Sequence, residues 1–158
     1  FGQKGTARSQ AYVYEIGAVR VLVSGEKKEF HSHINMLPTN TTLVQLLEAN
    51  GQKIESTVNV WFNKLTAQNI IKKTEVSNLQ DRIIMVEHAI RSFAPEIQVY
   101  NQFLDFIGNA IGVAHNGARF DKHILLGRFD VFNLSHRMPV VLDSLNIFRN
   151  KKLFRLIC

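Results

Sequence analysis

The stretch that decides the fold is IGVAHNGARFDKHILLGRF, residues Ile111 to Phe129. Its short apolar run, Ile111 to Ala114, predicts a buried strand. The polar residues that follow predict a loop, and Asp121 to Phe129 predicts a helix. In an open α/β sheet, functional residues gather at the carboxyl ends of strands. Asp121 follows such an end and is therefore the leading candidate for a functional residue.

A β-hairpin is predicted near the start of the sequence. Ala11 to Val23, AYVYEIGAVRVLV, is rich in Val, Ile and Tyr and predicts a long strand that is buried on at least part of both faces. Ser24-Gly25-Glu26 marks a turn. Glu29 to Asn35 alternates apolar and polar side chains, which predicts the antiparallel partner of the first strand.

Two helices are predicted directly after the hairpin. Thr42 and Gln45 have the spacing of a capping box, which predicts the start of a short helix. Asn50-Gly51 predicts the end of that helix. Trp61 to Lys73 predicts a second helix, although its apolar residues recur with a poor period.

Two more helices are predicted before the decisive stretch. Ser77 and Gln80 form another capping-box pattern. The apolar residues that follow recur at spacings of four, three and four, which predicts one buried helical face: Leu79, Ile83, Val86 and Ile90. Pro95 suits the first turn of the next helix. The core face predicted for that helix comprises Val99, Phe103, Phe106, Ile107 and Ala110.

The end of the sequence repeats the strand–helix order. Val140 to Leu142 predicts a short buried strand, and Asp143 to Arg149 predicts the start of a helix. The whole order is a hairpin, then helices, then two strand–helix steps. This order predicts an α/β fold, in which a mixed sheet is flanked by helices in one domain over residues 1–158. Because the chain begins and ends in segments that do not complete such a sheet, we expect the sheet to be incomplete at both ends.

Composition limits the class of protein. The 158 residues are 46% hydrophobic and 20% charged, which suits a globular domain and not a disordered chain. The net charge of +6 favours an anionic partner such as nucleic acid. The one cysteine, Cys158, excludes an internal disulfide. Because the sequence has neither an apolar signal segment nor a bilayer-spanning stretch, we expect an intracellular protein, cytoplasmic or nuclear.

Three motifs resemble those of DnaQ-like 3′→5′ exonucleases, which have a ribonuclease H-like fold. YEIGAV at residues 14–19 is similar to the family's second strand, and VLDSLNIFR at residues 141–149 is similar to a later strand-to-helix step. VAHNGARFDKHIL, at residues 113–125, resembles the family's second catalytic motif.

The resemblance assigns roles to three residues of the last motif. Asp121 matches a metal-binding, catalytic aspartate. Asn116 matches the asparagine of the preceding turn, and Phe120 matches the aromatic residue that packs under the site. Both are candidates for substrate binding. Gly117 and the Ala118-Arg119 pair depart from the usual loop.

The resemblance also implies a two-metal mechanism with Mg²⁺ or Mn²⁺. Two cations roughly 3.5–4 Å apart clamp the attacking and leaving oxygens of the phosphodiester, and several carboxylates must hold them. The family's Asp-x-Glu motif would lie just before Phe1, and its third motif would lie beyond Cys158. Asp121 is the one expected acidic ligand that maps onto the chain. We therefore expect the chain by itself to be inactive.

Three functional hypotheses follow. The first is an enzyme: the central part of an exonuclease that hydrolyses DNA or RNA from the 3′ end. The second is a binding module: the same fold without its carboxylates, which binds nucleic acid or protein. The third is an unrelated α/β domain in which HNGARFD matches by chance. Asp121 also has a purely structural interpretation, because aspartate is a preferred helix N-cap.

Other polar residues have both a structural and a functional interpretation. His31 and His33 lie at i and i+2, on one face of a strand, so they are either a metal-binding pair or solvated histidines. Glu15 lies in an apolar strand and needs a partner if it is buried. Asp143 is interpreted first as the cap of the next helix, with a catalytic role as the alternative. A basic cluster near the end either contacts phosphates or forms a solvated helix face: Arg149, Lys151, Lys152 and Arg155.

Overall fold

The structure is a computed structural model that describes residues 12–72, 76, 78–114 and 121–143. Packing divides the chain into two compact units. The described residues of the first unit lie within 33–96, and those of the second lie within 12–32 and 97–143. One boundary between the units falls one residue before the end of the strand Lys27–His33, and the other falls one residue into the helix Glu96–Ile107. Most of the strand and most of the helix belong to the second unit.

The described part of the first unit contains helices α1 (Leu43–Ala49), α2 (Ile54–Ala67) and α3 (Leu79–Arg91). The predicted capping box at the start of α1 is confirmed. The backbone N–H of Gln45 donates to the Thr42 hydroxyl at 3.2 Å, and the backbone N–H of Thr42 donates to the Gln45 side chain at 2.9 Å. These bonds satisfy two donors that have no partner within the helix.

Helix α2 begins earlier than the sequence pattern predicts. The prediction starts at Trp61 and runs to Lys73, whereas the helix spans Ile54–Ala67. Its buried residues recur at spacings of three, one and three, which is a helical period: Val58, Trp61, Phe62 and Leu65. Because the predicted helix starts at Trp61, it leaves out Val58, and the remaining apolar residues recur with a less regular period.

The N-cap of α3 lies one residue beyond the predicted capping box. Oδ1 of Asn78 accepts a hydrogen bond of 2.8 Å from the backbone N–H of Gln80, so Asn78, and not Ser77, caps the helix. The predicted apolar stripe of this helix is buried over its second half, at Val86 and Ile90.

The second unit contains the predicted β-hairpin, with a shorter first strand than predicted and a second strand that begins and ends two residues earlier than predicted. Strands β1 (Glu15–Val21) and β2 (Lys27–His33) form a two-stranded antiparallel sheet. Gly25 in the connecting turn has a φ of +87°, which only glycine adopts without steric cost. The predicted pairing through the Ser24-Gly25-Glu26 turn is confirmed.

The two faces of the hairpin differ in burial. On the inner face, the ring of Phe30 packs against those of Phe103 and Phe106 at centroid distances of 5.9 and 5.5 Å. On the outer face, Val19 and Val21 are 59% and 62% exposed. The outer face is therefore solvated at Val19 and Val21, whereas Glu15 on the same face is 19% exposed. This sheet follows the pattern of an antiparallel sheet with one solvated face.

Helix α4 (Glu96–Ile107) follows Pro95, as predicted. It ends before Gly108, which has a φ of +52°, so Ala110 of the predicted core face lies beyond the helix. The residues that α4 buries are Val99, Tyr100, Phe103 and Leu104, together with Glu96. The buried face therefore includes Tyr100 and Leu104, which a strict apolar stripe through Val99 leaves out.

The decisive stretch forms strand β3 (Gly112–Ala114) and helix α5 (Asp121–Val131). Strand β4 (Val141–Asp143) pairs with β3 in parallel, and Ala114 is the register partner of Asp143. Asp143 therefore ends a strand, at a position where the sequence predicts the start of a helix.

The described strands form two separate two-stranded sheets, β1–β2 and β3–β4. The fold is thus mixed α/β, with one antiparallel and one parallel pair. The described strands do not join into the one mixed sheet that the sequence predicts. Among the described residues, no helix has the length and apolar character needed to cross a bilayer.

Candidate functional site

Two candidate aspartates of the second unit lie at the ends of described elements, Asp143 at the end of β4 and Asp121 at the start of α5. Asp143 is the last residue of β4 and lies beside Ala114, the last residue of β3. Helix α5, the next described element after β3, begins at Asp121. A negative charge on the first turn of a helix is stabilised by the helix dipole. The chain therefore places Asp121 at a helix start after a parallel strand, in the order that the sequence predicts.

The other two candidates from the motif, Asn116 and Phe120, lie outside the described residues. Of Asp121 and Asp143, the structure describes the backbone. For this motif, the structure establishes the order of the surrounding elements. It also establishes the register of strands β3 and β4.

Helix α5 is fixed at its far end by aromatic packing. Phe129 is fully buried, and its ring meets that of Tyr100 edge to face at 5.1 Å. The chain then turns back on itself, because the backbone N–H of Leu134 donates to the carbonyl oxygen of Phe129 at 2.8 Å. Nearby, the guanidinium of Arg128 lies 5.9 Å from the centroid of the Phe132 ring. The packing at Phe129 thus anchors the carboxyl-terminal end of the helix that begins at Asp121.

Magnesium, which the family resemblance implies, fits this region in ligand type. Mg²⁺ prefers oxygen ligands, and aspartate supplies them. The register brings the strand that ends at Asp143 beside the strand that leads to Asp121. Two carboxylates do not complete a two-metal centre, however, which needs several converging oxygen ligands. Aspartate at these two positions therefore matches such a centre in ligand type.

A second group of metal-ligand side chains lies on the hairpin. Glu15 on β1 and His31 and His33 on β2 each offer one ligand atom, and these three atoms all lie within 4.8 Å of one another. Nε2 of His31 is 2.5 Å from Oε1 of Glu15. The side chain of His31 is 52% exposed and that of Glu15 is 19% exposed, so the cluster can be reached from solvent.

Sequence reasoning identified the members of this cluster but did not join them. It placed His31 and His33 on one face of a strand, and it required a partner for Glu15 if that residue was buried. The structure provides that partner in His31. The missing step was the register of the hairpin, which brings Glu15 across to the histidines.

Comparisons with protein-family models, with curated proteins and with solved structures find no match to this chain. The resemblance to DnaQ-like exonucleases therefore rests on its motifs and on the order of its elements.

Proposed function

We propose that this chain carries the core of a DnaQ-like 3′→5′ exonuclease domain with a ribonuclease H-like fold, which hydrolyses DNA or RNA. The observation that carries the proposal is the parallel β3–β4 pair, with Asp143 at its carboxyl end, followed after β3 by a helix that begins at Asp121. Functional residues of α/β sheets gather at this end of the strands.

In this proposal, Asp121 is the catalytic metal ligand. Asn116 and Phe120 position the nucleotide beside it. Bound Mg²⁺ or Mn²⁺ supplies charge stabilisation for the attacking and leaving oxygens of the phosphodiester. The net charge of +6 supports a polyanionic substrate, because excess Lys and Arg attract phosphates over a distance.

The separation of the two sheets also supports the proposal. The resemblance implies a further central strand, with the YEIGAV strand on one side and the IGVAH strand on the other. In the described part of the chain, β1 and β3 carry these two motifs and belong to different sheets. A central strand with the Asp-x-Glu motif would join them and would add carboxylates beside Asp121.

The test is the polarity of nucleotide release. The full gene product that contains this chain is incubated with Mg²⁺ and a 5′-labelled oligonucleotide, with either a free 3′ hydroxyl or a 3′ phosphate. We expect a ladder of products that shorten stepwise from the free 3′ end, and much slower shortening of the blocked substrate. Internal cleavage of both substrates, or no cleavage of either, would contradict the proposal.

The shortage of mapped carboxylates favours one alternative, a binding module with the same fold. Such a module would bind the oligonucleotide in a salt-dependent way, because phosphate contacts release counterions. It would do so without releasing nucleotides in Mg²⁺ or Mn²⁺. Fluorescence polarisation on the same labelled substrates measures this binding. It distinguishes a protein that binds the oligonucleotide without cleaving it from one that does not recognise nucleic acid.

A further inference from the structure

We propose that Glu15, His31 and His33 bind one Zn²⁺ ion on the β1–β2 hairpin, with a fourth coordination position open to solvent. This inference does not depend on the proposed nuclease function, which uses the ends of β3 and β4.

The hairpin brings the three ligands together by ordinary strand geometry. Residues at i and i+2 of a strand project from the same face, so His31 and His33 point the same way. Glu15 on the neighbouring strand completes the cluster, with all three ligand atoms within 4.8 Å of one another. Because two of the three ligands share one strand, their spacing is set by the backbone.

The distances suit an ion after small side-chain movements. Zinc binds imidazole nitrogen and carboxylate oxygen at about 2.0–2.2 Å, so neighbouring ligands of a tetrahedral ion lie roughly 3.3 Å apart. Oε1 of Glu15 and Nε2 of His31 are 2.5 Å apart and would move apart to bind the ion. The most widely spaced ligand atoms, at up to 4.8 Å, would move closer together. His31 is half-exposed, and the rotamers of such side chains change readily.

The fourth position is proposed on the exposed face of the hairpin, beside Gly17. This glycine is exposed, and a Cβ atom built on it would lie 3.9 Å from Cδ2 of His31, so Gly17 adds no side chain that would contact the imidazole. A three-ligand site with an open fourth position is the arrangement that holds water or substrate in catalytic zinc centres, where two histidines and one glutamate are a known ligand set.

The ligand types select the metal. Imidazole suits zinc and its neighbours among the transition metals, whereas Mg²⁺ and Ca²⁺ prefer oxygen ligands throughout. With two imidazoles and one carboxylate, the hairpin should discriminate against Mg²⁺. The simpler alternative is that Glu15 and His31 form a surface ion pair, which contributes little to stability and binds no metal.

Zinc binding is measured by isothermal titration calorimetry on untagged, metal-stripped protein in a Cys158→Ser background. That substitution removes the one thiol of the chain, which would compete for zinc. We expect one Zn²⁺ per chain. Glu15→Gln, His31→Gln and His33→Gln should each weaken binding by more than the roughly 10- to 100-fold that loss of an outer-shell partner costs.

The matched controls are His88→Gln on α3 and His136→Gln before β4, because both histidines are exposed and lie outside the cluster. Asp121→Asn is a third control, since it would reveal zinc held at the proposed nuclease site. All three should bind zinc as tightly as the parent protein. Far-UV circular dichroism checks that each variant is folded.

Co²⁺ substitution reads the coordination number directly. We expect the intense visible absorption of a four-coordinate ion, and its loss in His33→Gln. Absence of stoichiometric zinc binding would overturn the proposal, as would undiminished binding by folded His31→Gln or His33→Gln. The weak spectrum of a six-coordinate ion would overturn the assignment of a single open position.

Discussion

Ala114 at the end of β3 and Asp143 at the end of β4 are register partners in a parallel pair. Parallel strands have their carboxyl ends at the same edge, so Asp143 lies at the edge of the sheet where β3 ends. Asp143 therefore ends a strand beside the end of β3, whereas the sequence interpretation makes it first a helix cap, with a catalytic role as the alternative.

The two aspartates should differ in their effect on catalysis. In the full gene product, Asp121→Asn should lower nucleotide release by at least roughly 100-fold, because a lost metal ligand costs more than the 10- to 100-fold loss of an outer-shell group. Asp143→Asn should stay within that smaller range. Initial rates with a 3′-labelled oligonucleotide measure both effects. An Asp143 variant that is as damaged as the Asp121 variant would make Asp143 a direct ligand.

Packing at Phe129 should control the stability of the second unit. Phe129→Ala removes a fully buried ring that contacts Tyr100, and such a substitution costs about 3–5 kcal/mol. Phe132→Ala is the matched control, because Phe132 is less buried and lies 6.0 Å from the same tyrosine ring. Urea unfolding followed by circular dichroism compares the two. Equal losses of stability would show that Phe129 does not anchor α5.

The exposed outer face of the hairpin should promote aggregation. Val19 and Val21 are 59% and 62% exposed on a two-stranded sheet, and such sheets are marginally stable on their own. The double variant Val19→Thr/Val21→Thr keeps β-branched side chains and reduces apolar surface. We expect lower light scattering on heating and an unchanged far-UV spectrum. If the parent protein unfolds sharply and reversibly without light scattering, this face does not promote aggregation.

Zinc should stabilise the hairpin if the proposed site exists. A ligand that binds the native state alone at 100 times its Kd contributes about 2.7 kcal/mol, which raises the melting temperature by several degrees. Mg²⁺ at the same concentration should have no such effect. His33→Gln should abolish the shift, and His88→Gln should retain it. A shift of equal size in His33→Gln would place the ion elsewhere.

Local sequence signals predicted most of the described elements. Turn chemistry at Gly25 and the capping box at Thr42 specify structure through bonds between near neighbours, and both are confirmed. The ends of helices and strands are not predicted correctly where tertiary packing or strand pairing determines them. Helix α2 starts at Ile54, and its first buried residue, Val58, precedes the predicted start at Trp61. The end of β4 at Asp143 follows from its pairing with β3, which local propensity does not encode.

The two candidate sites show the same difference between local sequence signals and tertiary contacts. Asp121 was found because its surroundings form a continuous motif. The Glu15 cluster joins residues 16 positions apart, His31 and Glu15, and only the hairpin register brings them into contact. Counting outward from the hydrogen bond between Leu22 and Glu26 pairs Gly17 with His31, which places Glu15 near both histidines. The turn therefore specifies the cluster through the register that it sets.

The most direct test of the central claim is nucleotide release by matched aspartate variants of α5. Asp121 and Asp130 lie on the same helix, and Asp130 is exposed. In Mg²⁺ or Mn²⁺, the full gene product should release labelled nucleotide from the 3′ end of a 3′-labelled oligonucleotide. Asp121→Asn should abolish that release, and Asp130→Asn should preserve it. Full activity in the Asp121→Asn protein would contradict the account.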